Sequence, residues 1–167
     1  MLFQESTPPM RNPRWVAEHR GGPLKKAQHK QLIRWSIACA ERVVPLFGKT
    51  LDIRLKNALT IAKEWAAGKA TTGMAMKASV AAHAAARATK NPVAVAVARA
   101  IGHVVATAHM ADHSLGGALY ALKALKIAGK PIEAERKWQN EQLPTEIKDL
   151  VLTTRSTKEK VLKLESP

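Results

Sequence analysis

Residues 73–128 contain 19 alanines in 56 positions, and this composition constrains the fold more than any other feature of the chain. Alanine loses no side-chain entropy in a helix and has the highest helix propensity of any residue. Its small side chain also allows two helix axes to approach each other closely. We therefore predict that this segment forms tightly packed helices at the centre of the protein.

The hydrophobic pattern elsewhere is also helical, with apolar residues recurring every three to four positions. One stretch, PVAVAVA, alternates as a strand would. It begins at Asn91-Pro92, an N-cap residue followed by a residue suited to the first helical turn, so we interpret it as a helix. The sequence predicts an all-α fold, a single compact bundle of about six to seven helices with an alanine-rich, close-packed centre.

Glycine, proline and capping residues divide the chain into seven predicted helices. They cover residues 24–47, 52–67, 73–89, 92–110, 112 or 114 to 129, 131–142 and 144–152. Residues 1–23 are predicted to form an irregular N-terminal arm, residues 24–152 the helical domain and residues 153–167 a polar C-terminal tail. Met10 is a second candidate start. Trp35, Trp65 and Trp138 are expected to close over the alanine-rich helices.

The chain carries a formal net charge of +14. The excess is +6 in residues 1–50, +7 in residues 51–129 and only +1 in residues 130–167. Such a charge favours a polyanionic partner, either nucleic acid, anionic lipid or an acidic protein, and is equally compatible with a simply solvated surface. No aromatic residues alternate with the cations as a base-stacking platform requires, and no helix-turn-helix or zinc-finger motif is present.

Cys39 is the only cysteine, so the sequence offers no internal disulfide and no cysteine-based zinc site. It lies among helical apolar residues, which predicts a buried, inert thiol. The N-terminal residues lack the apolar run of a signal peptide. Residues 92–108 are the most lipid-like, but Arg99 and His103 interrupt them. We expect a cytoplasmic protein without a membrane span.

Several polar residues interrupt the apolar helices. His109 and His113 form an i, i+4 pair if helix continues through residue 112, and Asp112 lies beside them. Gly116 and Gly117 are expected either to admit a close neighbour or to separate two helices. The candidate residues of a polar recognition groove are His83, Arg87, Arg99, His103, His109, Asp112 and His113.

Three interpretations of this cluster are open. His109, Asp112 and His113 could bind a metal, but on one continuous helix His103 would lie about 120° away, so another ligand would be needed. Histidine beside aspartate suits acid–base catalysis, but no nucleophile or cofactor loop accompanies it. Alternatively, the histidines hydrogen-bond across packed helices or line a shallow groove. We favour the last interpretation and predict no catalytic residue, no cofactor and no metal site.

Several sequence blocks, taken in order, resemble a known family. They are NPRWVAEHRGG, HKQLIRWSIACAERVVPLF, NALTIAKEWAAG, KASVAAHAAARA, ARAIGHVVATAHMADHSLGGALYALKA and ERKWQNEQLP. Over about residues 12–152 the chain resembles the bacterial putative immunity protein family, small all-helical proteins associated with polymorphic toxin loci. The resemblance places an acidic residue where this chain has Ser36-Ile37-Ala38-Cys39, and glutamine at His103. Because glutamine is a poor ligand and no base, it implies a hydrogen-bonding role for His103.

The leading functional hypothesis, implied by this resemblance, is a non-enzymatic protein that neutralises a cognate toxin by occluding its surface. Like charges across an interface cost several kcal/mol, so we expect an acidic toxin, or at least not a basic nuclease. The alternative is a basic accessory protein that binds the phosphate backbone of a nucleic acid. A metal-dependent hydrolase that uses the His109/His113 turn ranks third. The oligomeric state is left open.

Overall fold

The computed structural model describes residues 11–165, which fold entirely into helices and connecting turns. Within this part of the chain the single extended pairing is an isolated bridge between Ala17 and Leu24. The expected all-α class is confirmed; the predictions for residues 1–10, including a start at Met10, lie outside the described residues. The α-helices are α1 (Lys26–Glu41), α2 (Ile53–Ala66), α3 (Thr72–Ala88), α4 (Pro92–Ala106), α5 (His113–Ile127), α6 (Glu133–Glu141) and α7 (Thr145–Val161).

Three helix starts follow directly from local capping chemistry. The Asp52 carboxylate accepts a hydrogen bond from a backbone N–H in the first turn of α2, and the Thr71 hydroxyl does the same for α3. Asn91 accepts two such bonds at the start of α4, and Pro92 occupies the first turn. These side chains satisfy N–H groups that have no partner within their own helix. The apolar alternation after Pro92 is therefore helical, as predicted.

Two helices end earlier than the sequence predicts. α1 stops at Glu41 because Pro45 cannot continue it, and a separate 3-10 helix, Val44–Phe47, follows. α4 stops at Ala106 rather than near Met110. The Thr107 hydroxyl donates to the His103 carbonyl at 3.1 Å, and residues 107–112 form turns. The chain therefore changes direction between His103 and His109.

α7 runs to Val161 instead of ending near Leu152. Arg155 is 4% exposed; it donates to Glu159 at 2.8 Å and to the Gln139 side chain on α6. Leu164 is fully buried after the helix ends. These partners hold residues that were expected to form a polar tail. The division into arm, domain and tail itself stays a prediction.

The buried residues form two hydrophobic clusters. In the first, α4 packs between α3 and α5, and small side chains such as Ala82, Ala98 and Ala121 are fully buried. The second lies between α1, α5, α6, α7 and the N-terminal segment, and includes Trp15 and Ile147. The alanine-rich segment thus supplies the closely packed half of the protein, and larger side chains fill the other half.

The three tryptophans pack against different parts of the alanine-rich segment. Trp65 packs against the first cluster. Trp35 and Trp138 belong to the second cluster, where the indole N–H of Trp35 donates to the Gln139 carbonyl at 2.8 Å. In residues 11–165 no helix is long and apolar enough to cross a membrane.

Candidate functional site

α3, α4 and the start of α5 bring four histidine rings into one row. The ring centroids of His83 and His103 are 5.5 Å apart, those of His103 and His113 are 5.0 Å apart, and those of His113 and His109 are 5.6 Å apart. We call these four residues the histidine row. Each ring belongs to a different turn or helix, so the row crosses the helix axes and links neighbouring helices.

Glycines on the facing helices make room for these rings. A Cβ atom on Gly102 would lie 2.7 Å from the His83 ring, and one on Gly116 would lie 2.7 Å from the His103 ring. A Cβ on Gly117 would collide with the Ser36 hydroxyl. Both glycines of the Gly116-Gly117 pair lie inside α5, so they admit close neighbours and do not separate two helices.

His103 is the centre of the row. Its Nδ1 atom lies 2.9 Å from the Nδ1 atom of His113, a hydrogen-bonding distance. Its ring also stacks on Tyr120, with centroids 5.1 Å apart and planes 14° from parallel. The 120° separation of His103 from His109 was expected for one continuous helix, but α4 ends at Ala106. The contact that His103 makes is with His113 at the start of α5.

Arg99 joins the row through His83. The Arg99 guanidinium donates to Nδ1 of His83 at 2.7 Å, which places the ring proton of neutral His83 on Nε2. Arg87, by contrast, is exposed on α3 and makes no hydrogen bond or ion pair within residues 11–165. The structure therefore brings together six of the seven candidate residues and leaves Arg87 at the edge.

Asp112 turns toward the N-terminal segment. Its carboxylate accepts a hydrogen bond from the Arg11 guanidinium at 3.3 Å, in a partly exposed ion pair. His109 lies in the turn before α5 and contacts His113 only through the rings. The two are not an i, i+4 pair on one helix, because the helix that would align them does not continue through residue 112.

Burial favours the neutral form throughout the histidine row. It is the main cause that lowers the pKa of His103 to about 3, and the neighbouring His113 lowers it further. Burial followed by the charge of Arg99 lowers the pKa of His83. The pKa of His113 is also lowered, mainly by burial and against the opposing charge of Asp112. At neutral pH burial therefore favours uncharged rings. The His103–His113 contact is the one hydrogen bond between two rings of the row, and the buried Nδ1 of His109 has no hydrogen-bond partner in residues 11–165.

The arrangement of these donors does not suit a metal ion. Among residues 11–165, no group of three or more histidine, cysteine or carboxylate side chains is placed so that it could hold one. Nδ1 of His103 and Nδ1 of His113 face each other, and the Asp112 carboxylate is directed to Arg11. Structural zinc sites require about four converging donors.

Two surface clefts open beside the row. One, of about 250 Å³, lies between α4, α5 and α7 and borders His103, Asp112 and His113. The other, of about 370 Å³, lies between α4 and α5 and borders Arg99. Tyr120 lines both clefts, so they are neighbours on one face of the protein. The polar residues thus lie at the margin of a shallow surface and not in an enclosed cavity.

Sequence reasoning missed two residues that line these clefts and a third residue, His29, that lies outside them and contacts the turn after α4. Tyr120 lies seven positions after His113, and that helical spacing could have identified it as a neighbour. Lys158 lines the first cleft from α7, and no local signal connects it with α4 or α5. His29, on α1, is 4% exposed and its Nε2 donates to the Thr107 carbonyl, which fixes the end of α4.

The model of one protein family, described as Imm-5 like putative immunity protein, matches residues 22–146. The chain belongs to this family. The match spans α1 to α6 and includes all seven candidate residues of this Imm-5 like protein. It confirms the family resemblance that the sequence blocks indicated. No curated protein and no solved structure matches the chain.

Proposed function

We propose that this Imm-5 like protein is a non-enzymatic binding protein that neutralises a cognate bacterial toxin by covering part of the toxin surface. The family match over residues 22–146 carries the proposal. The chemistry at the centre of the histidine row supports it, because burial keeps His103 neutral and the Nδ1 atom of His103 is engaged by His113. A general acid–base catalyst would need a pKa near the working pH and a free reacting atom.

The charge of the protein supports an acidic partner, or one that is at least not a basic nuclease. A net charge of +14 repels a basic surface and accelerates encounter with an acidic one. The unpaired and buried Cys39 suits a reducing compartment, so we expect neutralisation in the cytoplasm.

Co-expression with the toxin encoded next to the gene tests this function. We expect growth to be restored, and the two purified proteins to form a stoichiometric complex that weakens as salt rises. Stoichiometry separates binding from catalysis, because an enzyme would inactivate many toxin molecules per copy. If no product of a neighbouring gene binds the protein, and if the protein restores growth against none of them, the proposal is contradicted.

The variant His109→Ala/His113→Ala addresses the metal-dependent hydrolase. A binding protein still neutralises the toxin with one-to-one stoichiometry after this change, although with weaker affinity because His113 borders the first cleft, provided that circular dichroism shows the variant to be folded. Metal analysis of the purified wild-type protein is a second test. We expect less than one bound metal ion per protein chain. Toxin inactivation that is catalytic, metal-dependent and lost in the double variant would establish the hydrolase instead.

The basic surface also keeps nucleic-acid binding as an alternative. Binding through phosphates weakens steeply as the salt concentration rises, with a slope proportional to the number of phosphates neutralised. A gel shift with DNA and RNA at low salt separates the alternatives. We expect no shift that survives at physiological ionic strength, and a salt-resistant shift would favour the alternative.

A further inference from the structure

The two clefts beside Tyr120 form one surface with a shared centre. Lys158 and Val161 of α7 flank the first cleft, and Lys90, Lys123 and Ile127 flank the second. We call this surface the Tyr120 face, defined by Lys90, Arg99, Tyr120, Lys123, Ile127, Lys158 and Val161. It combines four cations and two aliphatic side chains around one aromatic ring, and two of its members, Tyr120 and Arg99, belong to residue types that are enriched at protein interfaces.

The positive charge of this face is not compensated within residues 11–165. Lys90, Arg99, Lys123 and Lys158 have no carboxylate within ion-pair distance. Asp112 is the single acidic residue that lines either cleft, and Arg11 already neutralises it. The face therefore presents four cations to whatever covers it.

Aliphatic side chains lie between these cations. Val161, the last residue of α7, is 75% exposed, and Ile127, the last residue of α5, is 42% exposed. Neither is needed to fill a core, and each would lose unfavourable contact with water under a protein partner. A phosphate backbone would gain nothing from these two side chains, whereas an amphipathic protein segment would bury them.

Tyr120 itself is already occupied as a stacking surface. The His103 ring is stacked on it, and the Lys123 ammonium lies over the ring 5.5 Å from its centroid. Single-stranded nucleic acid binds through aromatic rings whose faces are free for bases. The Tyr120 face therefore matches a protein partner better than a nucleic acid, in spite of its charge.

We infer that the Tyr120 face is the surface that binds the protein partner, and that its occupant is an acidic segment carrying aliphatic side chains between its carboxylates. This inference rests on the proposed function. The carboxylates contact Arg99, Lys123 and Lys158, and the aliphatic side chains pack into the two clefts against Ile127 and Val161. If this acidic segment belongs to the toxin, binding at the Tyr120 face covers the toxin surface around the segment.

The test compares two charge-reversal variants of the full chain that change net charge equally. Lys123→Glu/Lys158→Glu alters the face, and Lys56→Glu/Lys77→Glu alters exposed lysines that line neither cleft. Val161→Asp is a third variant that removes no buried contact. Circular dichroism verifies that each is folded. The probes are a short peptide of glutamate and leucine, its glutamine counterpart, an oligothymidine, and the neighbouring toxin.

We expect the glutamate peptide to bind in preference to the glutamine peptide, and the Lys123→Glu/Lys158→Glu variant to weaken that binding at least tenfold. The control variant should weaken it less than threefold, and Val161→Asp should weaken it without affecting the fold. Equal loss in both double variants would overturn the inference. So would oligothymidine binding at this face in the absence of peptide binding.

The toxin probe separates the two proposals. If the toxin binds wild type and control equally but is lost with Lys123→Glu/Lys158→Glu, both proposals are supported. If it binds all variants alike, the Tyr120 face is not the docking surface, although the toxin-neutralising function stands. If no neighbouring toxin binds wild type, the function fails, and the peptide comparison still tests the face.

Discussion

Nδ1 of His103 and Nδ1 of His113 lie 2.9 Å apart across the contact between α4 and α5. One ring must donate and the other accept, so the contact requires that at least one Nδ1 carries no proton. Protonating both rings would place two N–H groups face to face in a partly buried position. The contact therefore links the stability of the helix pair to pH.

The first prediction concerns acid stability. Burial lowers the pKa of His103 to about 3, whereas an unfolded histidine has a pKa of about 6.5. The unfolded state thus binds more protons below pH 6.5, and the stabilisation present above that pH is lost as the pH falls toward 3. One such histidine reduces the free energy of unfolding by about 1.4 kcal/mol per pH unit in this window.

Urea denaturation between pH 7.5 and pH 4.5 measures this effect. His103→Gln should flatten the pH dependence, because glutamine does not titrate but keeps hydrogen-bonding groups. His19→Gln is the matched control, since His19 is exposed and lies outside the row. An unchanged slope in His103→Gln would show that this histidine is not the source of the acid sensitivity.

The second prediction concerns the glycine beneath the His103 ring. Gly116→Ala places a Cβ atom 2.7 Å from Nδ1 of His103, and the ring is held by Tyr120 and His113. We expect the free energy of unfolding to fall by about 1–3 kcal/mol, the usual cost of overpacking.

Gly73→Ala is the control for this substitution. Its Cβ would meet only the Thr71 hydroxyl oxygen, at 3.9 Å, in the first turn of α3. Alanine should stabilise the protein there by up to about 1 kcal/mol, because it restricts the unfolded chain. Thermal denaturation compares the two, and equal melting temperatures would show that the ring moves aside without cost.

The third prediction concerns the ion cluster of α6 and α7. Arg155 is 4% exposed and bonds to Glu159, Asn140 and Gln139. Removing its guanidinium in Arg155→Ala leaves the Glu159 carboxylate with Arg136 alone and should cost about 3–5 kcal/mol. Lys137→Ala, which breaks the exposed pair with Glu141, should cost far less.

Urea denaturation of both variants distinguishes a structural α7 from a dispensable tail. Removal of residues 153–167 should destabilise the protein at least as much as Arg155→Ala, because it also exposes the site of buried Leu164. A truncated protein as stable as the full chain would support the prediction that these residues form a tail.

The fourth prediction concerns the single thiol. Cys39 is fully buried, and burial raises the pKa of its thiol. Because the thiolate is the reactive form, a disulfide reagent should label Cys39 only at the rate at which the protein opens. Labelling should become complete within the mixing time in concentrated urea. Fast labelling of the folded protein would contradict the burial of Cys39.

Some features follow from the sequence because they depend on interactions between near neighbours. The Asp52, Thr71 and Asn91 caps each bond to backbone groups two or three residues away, so helix starts could be predicted closely. The buried state of Cys39 also follows from the local apolar pattern. The end of α4 at Ala106 could not be predicted, because no proline or glycine marks it.

The alanine-rich segment by itself determined that the centre of this protein is helical and closely packed. Capping residues determined where three of the seven helices start, and the ordered sequence blocks indicated the family. Only the tertiary structure decided that His103 meets His113, that Tyr120 stacks on His103, and that Lys158 of α7 joins the same face. Periodicity describes the faces of one helix at a time, whereas these contacts depend on how turns and packing orient several helices together.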